Sequence, residues 1–503
     1  MNKRMTKLKL KTTMLLMFMV LINNSTMAQN KPNIVFFMVD DMGWMDSEIY
    51  GSAYYETPNV TRLAKMGKRF TRAYAANPLC SPTRASLMSG KHPGRFRLTM
   101  PAGHMPPNPN QDLSPTKGKP WMKVATPKSR TFMPLEEFTL AEALKSNGYK
   151  TAHFGKWHLG HEQYWPKHQG FDINVGGGHN PGPPNFFSPY NVDNLEDGPE
   201  KEFLSDRMAS EAITFLEANK DETFFLNYWF FAVHAPYQAP QDLIDKYTVK
   251  EDPRGKQKNP IMGGMIEKMD ENLGKILDKL EQLKLMDNTI IVFFSDNGGN
   301  MYDVVNGEFP TNNYPLRFGK GNIHEGGIRV PMIVVWDDKI AANSVSDELV
   351  QSIDFYPTLL ELTVTTANPN QLLDGVSLAN LWLNDTPLDR EAIYSHFPHY
   401  TSVTSNVPST AVWYKNYKMI KEYGQGENLT NAHKLYDLKE DIGETTDISG
   451  EYPELSKKLA AMIGDHVEEI NGMLPIKNPA YDPKAESKLG VTLDFPIDRY
   501  PSY

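Results

Sequence analysis

Four nearly unbroken apolar runs stand out along the chain: Asn33–Val39, Thr223–Phe231, Thr289–Phe294 and Val330–Trp336. Apolar runs of this length without polar alternation are the pattern of strands buried on both faces, as inside a parallel sheet. Tyr149–Phe154 reads as a further strand. Elsewhere the apolar period lengthens to that of a helix. Met262, Met265, Ile266, Met269, Leu273, Ile276, Leu277 and Leu280 predict a helix over Met262–Leu283 with one face on the core. Thr57-Pro58 opens another helix that Gly67 closes. Thr139 and Glu142 form a capping box ahead of the helix Leu140–Asn147, with Gly148 as its stop. Strands alternating with amphipathic helices predict an α/β fold: a large mixed, mostly parallel sheet sandwiched by helices.

After about residue 385 the pattern changes. Val412–Tyr423 alternates, Lys434–Leu438 is a short strand and Pro453–Ile470 is an amphipathic helix. The expected division is therefore a main α/β domain over 29–385 and a C-terminal subdomain, an antiparallel sheet with one helix, over 386–503. Two stretches, 91–137 and Gly176–Asn191, are rich in turn formers and lack any period, and loops of such length are commonly functional. The Pro-rich tail from Leu474 is expected to wrap the surface.

Three of the apolar runs lead into polar sets: Asp40-Asp41, His234, and Asp296-Asn297. In open α/β sheets, ligands bind beyond the carboxyl ends of the strands, so these sets are expected to meet at one edge. Any one of the aspartates would ordinarily cap a helix or turn. Together with the asparagine amide they form an all-oxygen set suited to a hard divalent cation, Ca²⁺ or Mg²⁺.

Shortly after the first run comes Leu79-Cys80-Ser81-Pro82-Thr83-Arg84-Ala85-Ser86-Leu87-Met88-Ser89-Gly90-Lys91, which holds the single cysteine of 503 residues. A lone cysteine is ordinarily a small buried hydrophobe. Cys-x-Pro-x-Arg continuing into Ala-Ser-Leu-Met-Ser-Gly-Lys, however, resembles the signature of the type I, formylglycine-dependent sulfatases of the alkaline phosphatase superfamily. A second stretch, Gly148 to His158, is similar to that family's Gly-Tyr-x-Thr-x-x-x-Gly-Lys-x-His motif, with Phe154 larger than usual.

The resemblance implies an alkaline phosphatase-like fold and a sulfuric ester hydrolase. It implies that Cys80 is oxidised to formylglycine (3-oxoalanine), whose hydrate is the nucleophile, beside a metal held by Asp40, Asp41, Asp296 and Asn297. That metal is usually Ca²⁺. By the same carry-over, Arg84 pins the hydrate and its metal, Lys156 and Lys320 grip the sulfate, His158 orients or deprotonates the hydrate, and His234 faces the leaving oxygen. Glu325–Pro331 follows the family pattern as a structural segment, with Arg329 pairing internally. His92, His179, His396 and His399 are candidates for the substrate wall, and the expected partner is a sulfated carbohydrate, as for exported bacterial polysaccharide sulfatases.

The N-terminus fits export. Lys3, Arg4, Lys7, Lys9 and Lys11 precede the apolar segment Met14–Ile22 and the small-residue site Thr26-Met27-Ala28. This reads as a signal peptide over 1–28, cut after Ala28, and directs the protein to the periplasm or the medium. Its apolar part is too short to anchor in a membrane, and no later stretch is long enough to span one. The net charge of −9 weighs against nucleic acid as a partner. One cysteine cannot form an internal disulfide. The resemblance further implies that a formylglycine-generating maturase acts on Cys80 before export. Two other readings compete: a phosphate or phosphonate ester hydrolase of the same superfamily, and a non-catalytic binder of sulfated glycans.

Overall fold

The apolar run Asn33–Val39 forms a central strand with every residue buried, because it faces a core on each side. Ile34, Phe36 and Met38 point into one core, and Val35, Phe37 and Val39 into the other. This is seen in a computed structural model that describes residues 31–489. The expected leader, 1–28, lies outside the described residues.

In chain order the strands are β1 (Asn33–Val39), β2 (Lys68–Tyr74), β3 (Val124–Ala125), β4 (Lys150–Gly155), β5 (Ile173–Val175), β6 (Phe224–Trp229), β7 (Thr289–Ser295), β8 (Arg329–Val335), β9 (Ser344–Ser346), β10 (Val350–Gln351), β11 (Ala392–Phe397), β12 (Ser409–Tyr414), β13 (Tyr417–Glu422), β14 (Ala432–Asp437) and β15 (Ile476–Lys477). Nine of them form the main sheet, in the order β10-β2-β8-β7-β1-β6-β4-β5 with β9 on β2. Only β8 runs against its neighbours, antiparallel to β7 and β2. The helices Pro58–Met66, Leu204–Ala218 and Pro260–Gln282 cover one face. Cys80–Ser89, Leu140–Ser146 and Phe355–Leu362 cover the other.

The long helix Pro260–Gln282 buries all eight residues of the expected stripe. The capping box at Thr139 and Glu142 is present in both directions. Thr57, by contrast, does not cap with its side chain, because its hydroxyl accepts the Glu48 N–H at 3.0 Å. Nor does Gly67 close that helix through a left-handed turn. It lies against β8, where a Cβ would stand 2.0 Å from the Val334 carbonyl oxygen.

β11–β14 form a separate antiparallel sheet in sequential order. Its alternation is two-sided. Val412 and Met419 face the helix Pro453–Glu469 through Leu459 and Ile463, while Ala411, Trp413 and Ile420 join the main core. The stretch 91–137 is largely irregular, and β3 within it pairs with β15 of the tail. Asn478 Nδ2 fastens the tail further by donating to the carbonyls of Lys119 and Met122 at 2.9 and 2.7 Å.

Candidate active site

Four neighbouring parallel strands, β7, β1, β6 and β4, end level with one another. Val39 pairs with Ser295, Met38 with Trp229, and Trp229 with Gly155. The residues that follow these ends are Asp296-Asn297, Asp40-Asp41, the segment to His234, and Lys156 to His158. In-register pairing of apolar runs thus delivers four polar segments to one edge of the sheet.

Cys80 reaches the same edge beyond the end of β2, as the first residue of the helix Cys80–Ser89. All ten residues of that helix are buried, and Gly90 closes it at φ 68° by returning its N–H to the Ser86 carbonyl. The helix N-terminus, with its partial positive charge, therefore faces the carboxylates. One ligand atom each from Asp40, Asp41, Cys80 and His234 can be chosen so that all lie within 4.8 Å of one another.

The charges are closely matched. Arg84 Nε and Nη2 both lie 2.8 Å from Asp296 Oδ2, and Nη1 donates to the Lys156 carbonyl at 2.7 Å. The guanidinium stacks over Trp229, 5.1 Å from the ring centre. Lys156 Nζ pairs with Asp40 Oδ2, and Lys320 Nζ with Asp41 Oδ2, each at 2.7 Å. Asn297 Nδ2 donates to Asp41 Oδ1 at 2.8 Å. Lys320 is placed by its own N–H on the Gly299 carbonyl and by the Gly321 N–H on the Pro78 carbonyl. Asp41 holds this position at φ 66°, a left-handed conformation that is unusual for a side-chain-bearing residue and is concentrated at functional sites.

Burial governs the protonation of these groups. It pushes the Asp40 carboxyl up to about 8 although Lys156 pulls the other way. Burial also opposes ionisation of Asp41, but Lys320 and His234 outweigh it and hold that carboxyl low. The Cys80 thiol is pushed up to about 12 by burial, against Lys156 and Lys320. An unmodified thiol in this setting is protonated at neutral pH and a weak nucleophile. Burial, then Lys320, lowers His234 well below the usual imidazole range; burial, then Lys156, does the same to His158. His234 Nδ1 donates to the Ala235 carbonyl at 2.8 Å, so its Nε2 is the nitrogen turned to the site, 3.8 Å from Asp41 Oδ2.

The donor set fits a hard cation. Asp40 Oδ1 and Asn297 Oδ1 are buried and accept no hydrogen bond among the described residues. Orphaned acceptors beside two further carboxylates make the oxygen-rich surroundings that such an ion requires. Asp296 is the most committed member: Oδ1 accepts the Asp41 N–H at 3.2 Å and Oδ2 serves Arg84.

Residues 32–365 match the family model for sulfatases, and 316–470 match that for the C-terminal part of N-sulphoglucosamine sulphohydrolase. The chain belongs to the sulfatase family. A sulfatase from Formosa agariphila is 31% identical over 505 residues, covering 85% of this chain and 86% of that one. Human N-acetylgalactosamine-6-sulfatase is 28% identical, covering 88% of this chain and 87% of its own. The crystal structure of Ps i-CgsB in complex with k-i-k-neocarrahexaose matches with a TM-score of 0.69 and 27% identity, covering 92% of this chain and 96% of that one. The protein is thus a sulfuric ester hydrolase with an alkaline phosphatase-like fold.

The sulfatase does not place all four histidines expected at the substrate wall in that position. His179 lies near the site, half-buried, stacked on His161 at 4.4 Å and 3.5 Å from Asp193. Asp193 lines a small crevice together with Lys156, Asn180 and Pro184. His92, His396 and His399 are buried in packing instead. His92 meets the His466 ring edge-on at 4.6 Å. His396 has both nitrogens engaged, on Thr410 Oγ1 at 2.7 Å and the Met473 carbonyl at 3.2 Å. His399 Nε2 is 2.7 Å from Thr99 Oγ1. These three join the excursion 91–137 to the C-terminal part, a role that aromatic and histidine content alone does not distinguish from sugar binding. In the segment Glu325–Pro331, Arg329 pairs with Glu325 at 3.4 Å and donates to the Thr71 carbonyl at 2.8 Å.

One residue at the site was not singled out by the sequence. His104 Nδ1 lies 3.1 Å from His158 Nε2. It sits in the aperiodic excursion, where only the presence of a histidine among Pro and Gly residues offers a signal.

Proposed function

We propose that this sulfatase is exported and hydrolyses sulfate esters on carbohydrate, with Cys80 oxidised to formylglycine and Ca²⁺ as its metal. The observation that carries the reading is the buried group at the strand ends: Cys80 at a helix start, the carboxylates beside it, and Lys156 and Lys320 each paired to one aspartate. A site built only to bind a glycan has no use for a buried cysteine at a helix start among carboxylates and lysines. The carbohydrate reading draws on the named substrates of relatives, the N-acetylgalactosamine-6-sulfatase and the carrageenan-type hexasaccharide complex. Export rests on the basic, then apolar N-terminus with Ala28 at the cut; among the described residues no helix is long and apolar enough to cross a membrane. The maturase is then required before export, while the chain is unfolded and Cys80 accessible.

Asp40, Asp41, Asp296 and Asn297 are the residues to hold the ion, which when bound offsets charge on the sulfuryl oxygens. Oxidised Cys80, as its hydrate, would supply one hydroxyl to attack sulfur as the ester S–O bond breaks, and a second hydroxyl whose deprotonation would expel the sulfate and restore the aldehyde. Lys156 and Lys320, already desolvated, hold the sulfate oxygens and stabilise charge as it builds. Arg84 fixes Asp296 and, through the Lys156 carbonyl, the loop that carries Lys156. His158 takes up the proton of the attacking hydroxyl. His234 presents Nε2 to the ester oxygen. Binding of an anionic sulfate beside it favours its protonated form, from which it protonates the leaving group. We place the border between the catalytic part and the C-terminal subdomain near residue 385.

The test is the mass of the tryptic peptide Ala73–Arg84 from protein made in its native host, together with release of sulfate or phosphate from matched monoesters. Loss of sulfur with gain of an aldehyde, and turnover of sulfated oligosaccharides, is the expected result. Preference for phosphate esters would make the chain a phosphoesterase. An unmodified thiol without turnover would leave a glycan binder.

A further inference from the structure

The excursion 91–137 touches the catalytic centre through Gly103 and His104. The Gly103 N–H lies 3.4 Å from Ser81 Oγ, which itself donates to the His158 carbonyl at 2.8 Å. A Cβ on Gly103 would stand 1.9 Å from that carbonyl oxygen, so the loop is pressed against the segment that carries His158. His104, the next residue, stacks its ring on His158 with centres 5.3 Å apart and places Nδ1 3.1 Å from Nε2. His161 braces the loop from outside, its Nε2 3.1 Å from the His104 carbonyl oxygen.

His158 is held firmly on its own side. Its N–H donates to the Gly178 carbonyl at 3.0 Å and its backbone is kept at φ 59°. The side chain is 1% exposed, and Nδ1 has no hydrogen-bond partner among the described residues. Two imidazoles joined nitrogen to nitrogen share one proton: one ring donates and the other accepts. Which nitrogen of a histidine is free for chemistry is set by the hydrogen bond made by the other. Burial, with Lys156 next in size, lowers both His104 and His158 below the usual imidazole range, which favours one shared proton over two.

We propose that His104 is a positioning residue for the sulfatase reaction: its Nδ1 accepts the Nε2 hydrogen of His158 and leaves His158 Nδ1 as the lone pair for the reacting groups. This rests on His158 being the proton acceptor described above. His104 itself is exposed and acts through His158.

Two variants separate this role from packing. His104→Asn places an amide oxygen about where Nδ1 stood, and His104→Phe keeps a ring but removes the acceptor. The ¹⁵N spectrum of histidine-labelled full-length protein reads the His158 tautomer without any substrate. The wild type and His104→Asn are expected to carry the proton on Nε2, and His104→Phe to show a mixture. With a sulfated substrate, kcat of His104→Phe is expected to fall about 10- to 100-fold, as for loss of other groups that orient a functional histidine. KM should stay within about twofold, since uniform binding is untouched. Wild-type tautomer and kcat in His104→Phe would overturn the proposal. So would equal losses in both variants, or an effect confined to KM. If the chain turned over no sulfate ester, the tautomer measurement would still decide whether His104 sets the state of His158.

Discussion

Arg84 has no solvent exposure, and its side chain is matched by Asp296, the Lys156 carbonyl and the face of Trp229. Removing one partner of such a pair strands a buried charge. Asp296→Ala is therefore expected to cost about 3–5 kcal/mol, read as a shift in the urea unfolding midpoint at unchanged slope. Cys80→Ala should behave in the opposite way. It removes one small buried atom, so stability should change by about 1 kcal/mol or less, while sulfate release is abolished. Retained turnover would remove Cys80 from the nucleophile role. Asp40, Asp41, Asp296 and Asn297 were legible in the sequence because they follow apolar strands directly, and strand ends converge. His104 was not legible, because its approach to His158 depends on how a loop without periodicity folds back.

At the scale of elements, continuous apolar runs identified β1, β6, β7 and β8, since only residues buried on both faces dispense with alternation. The reversed direction of β8 could not be read from its composition, which is the same for either direction. β2, Lys68–Tyr74, was missed because three of its seven residues are basic. Lys68 is nonetheless buried, its ammonium on the Leu381 carbonyl at 2.7 Å and on Asp385. Tertiary partners there override a poor strand pattern. Gly67 stands where a helix stop is expected, yet its φ of −147° is not left-handed and its constraint is contact with β8. Gly67→Ala should thus destabilise by about 1–3 kcal/mol through overpacking. A thermal midpoint equal to the wild type would show that β8 gives way without cost.

On the scale of the whole molecule, buried ionic and histidine contacts fasten the four-stranded sheet to the rest of the fold. Lys418 of β13 reaches Glu325 at 3.1 Å and Glu444 at 2.8 Å. Burial lowers His396 to about 4 and His399 to about 3. Unfolded, each would titrate near the ordinary value of about 6.5, so below that pH the unfolded chain binds more protons than the folded one. Stability contributed by these two groups is therefore full above about pH 6.5 and is lost as pH falls through about 4 and then 3. A series of thermal unfolding curves should show the midpoint falling from pH 6 to pH 4, with a shallower fall in His396→Gln; an unaltered slope in that variant would place the acid sensitivity elsewhere.

Local sequence was enough for an α/β core with helices on both faces of its sheet, for the polar sets at its strand ends and for the family signature around Cys80. Each of these is local: a period, a cap, or a motif of fixed spacing carries its own physical meaning. The tertiary structure decided the direction of β8, the burial of His92, His396 and His399 in an interface, and the contact of His104 with His158. Those depend on which surfaces meet after the chain has folded, and no single stretch contains the partner that fixes them.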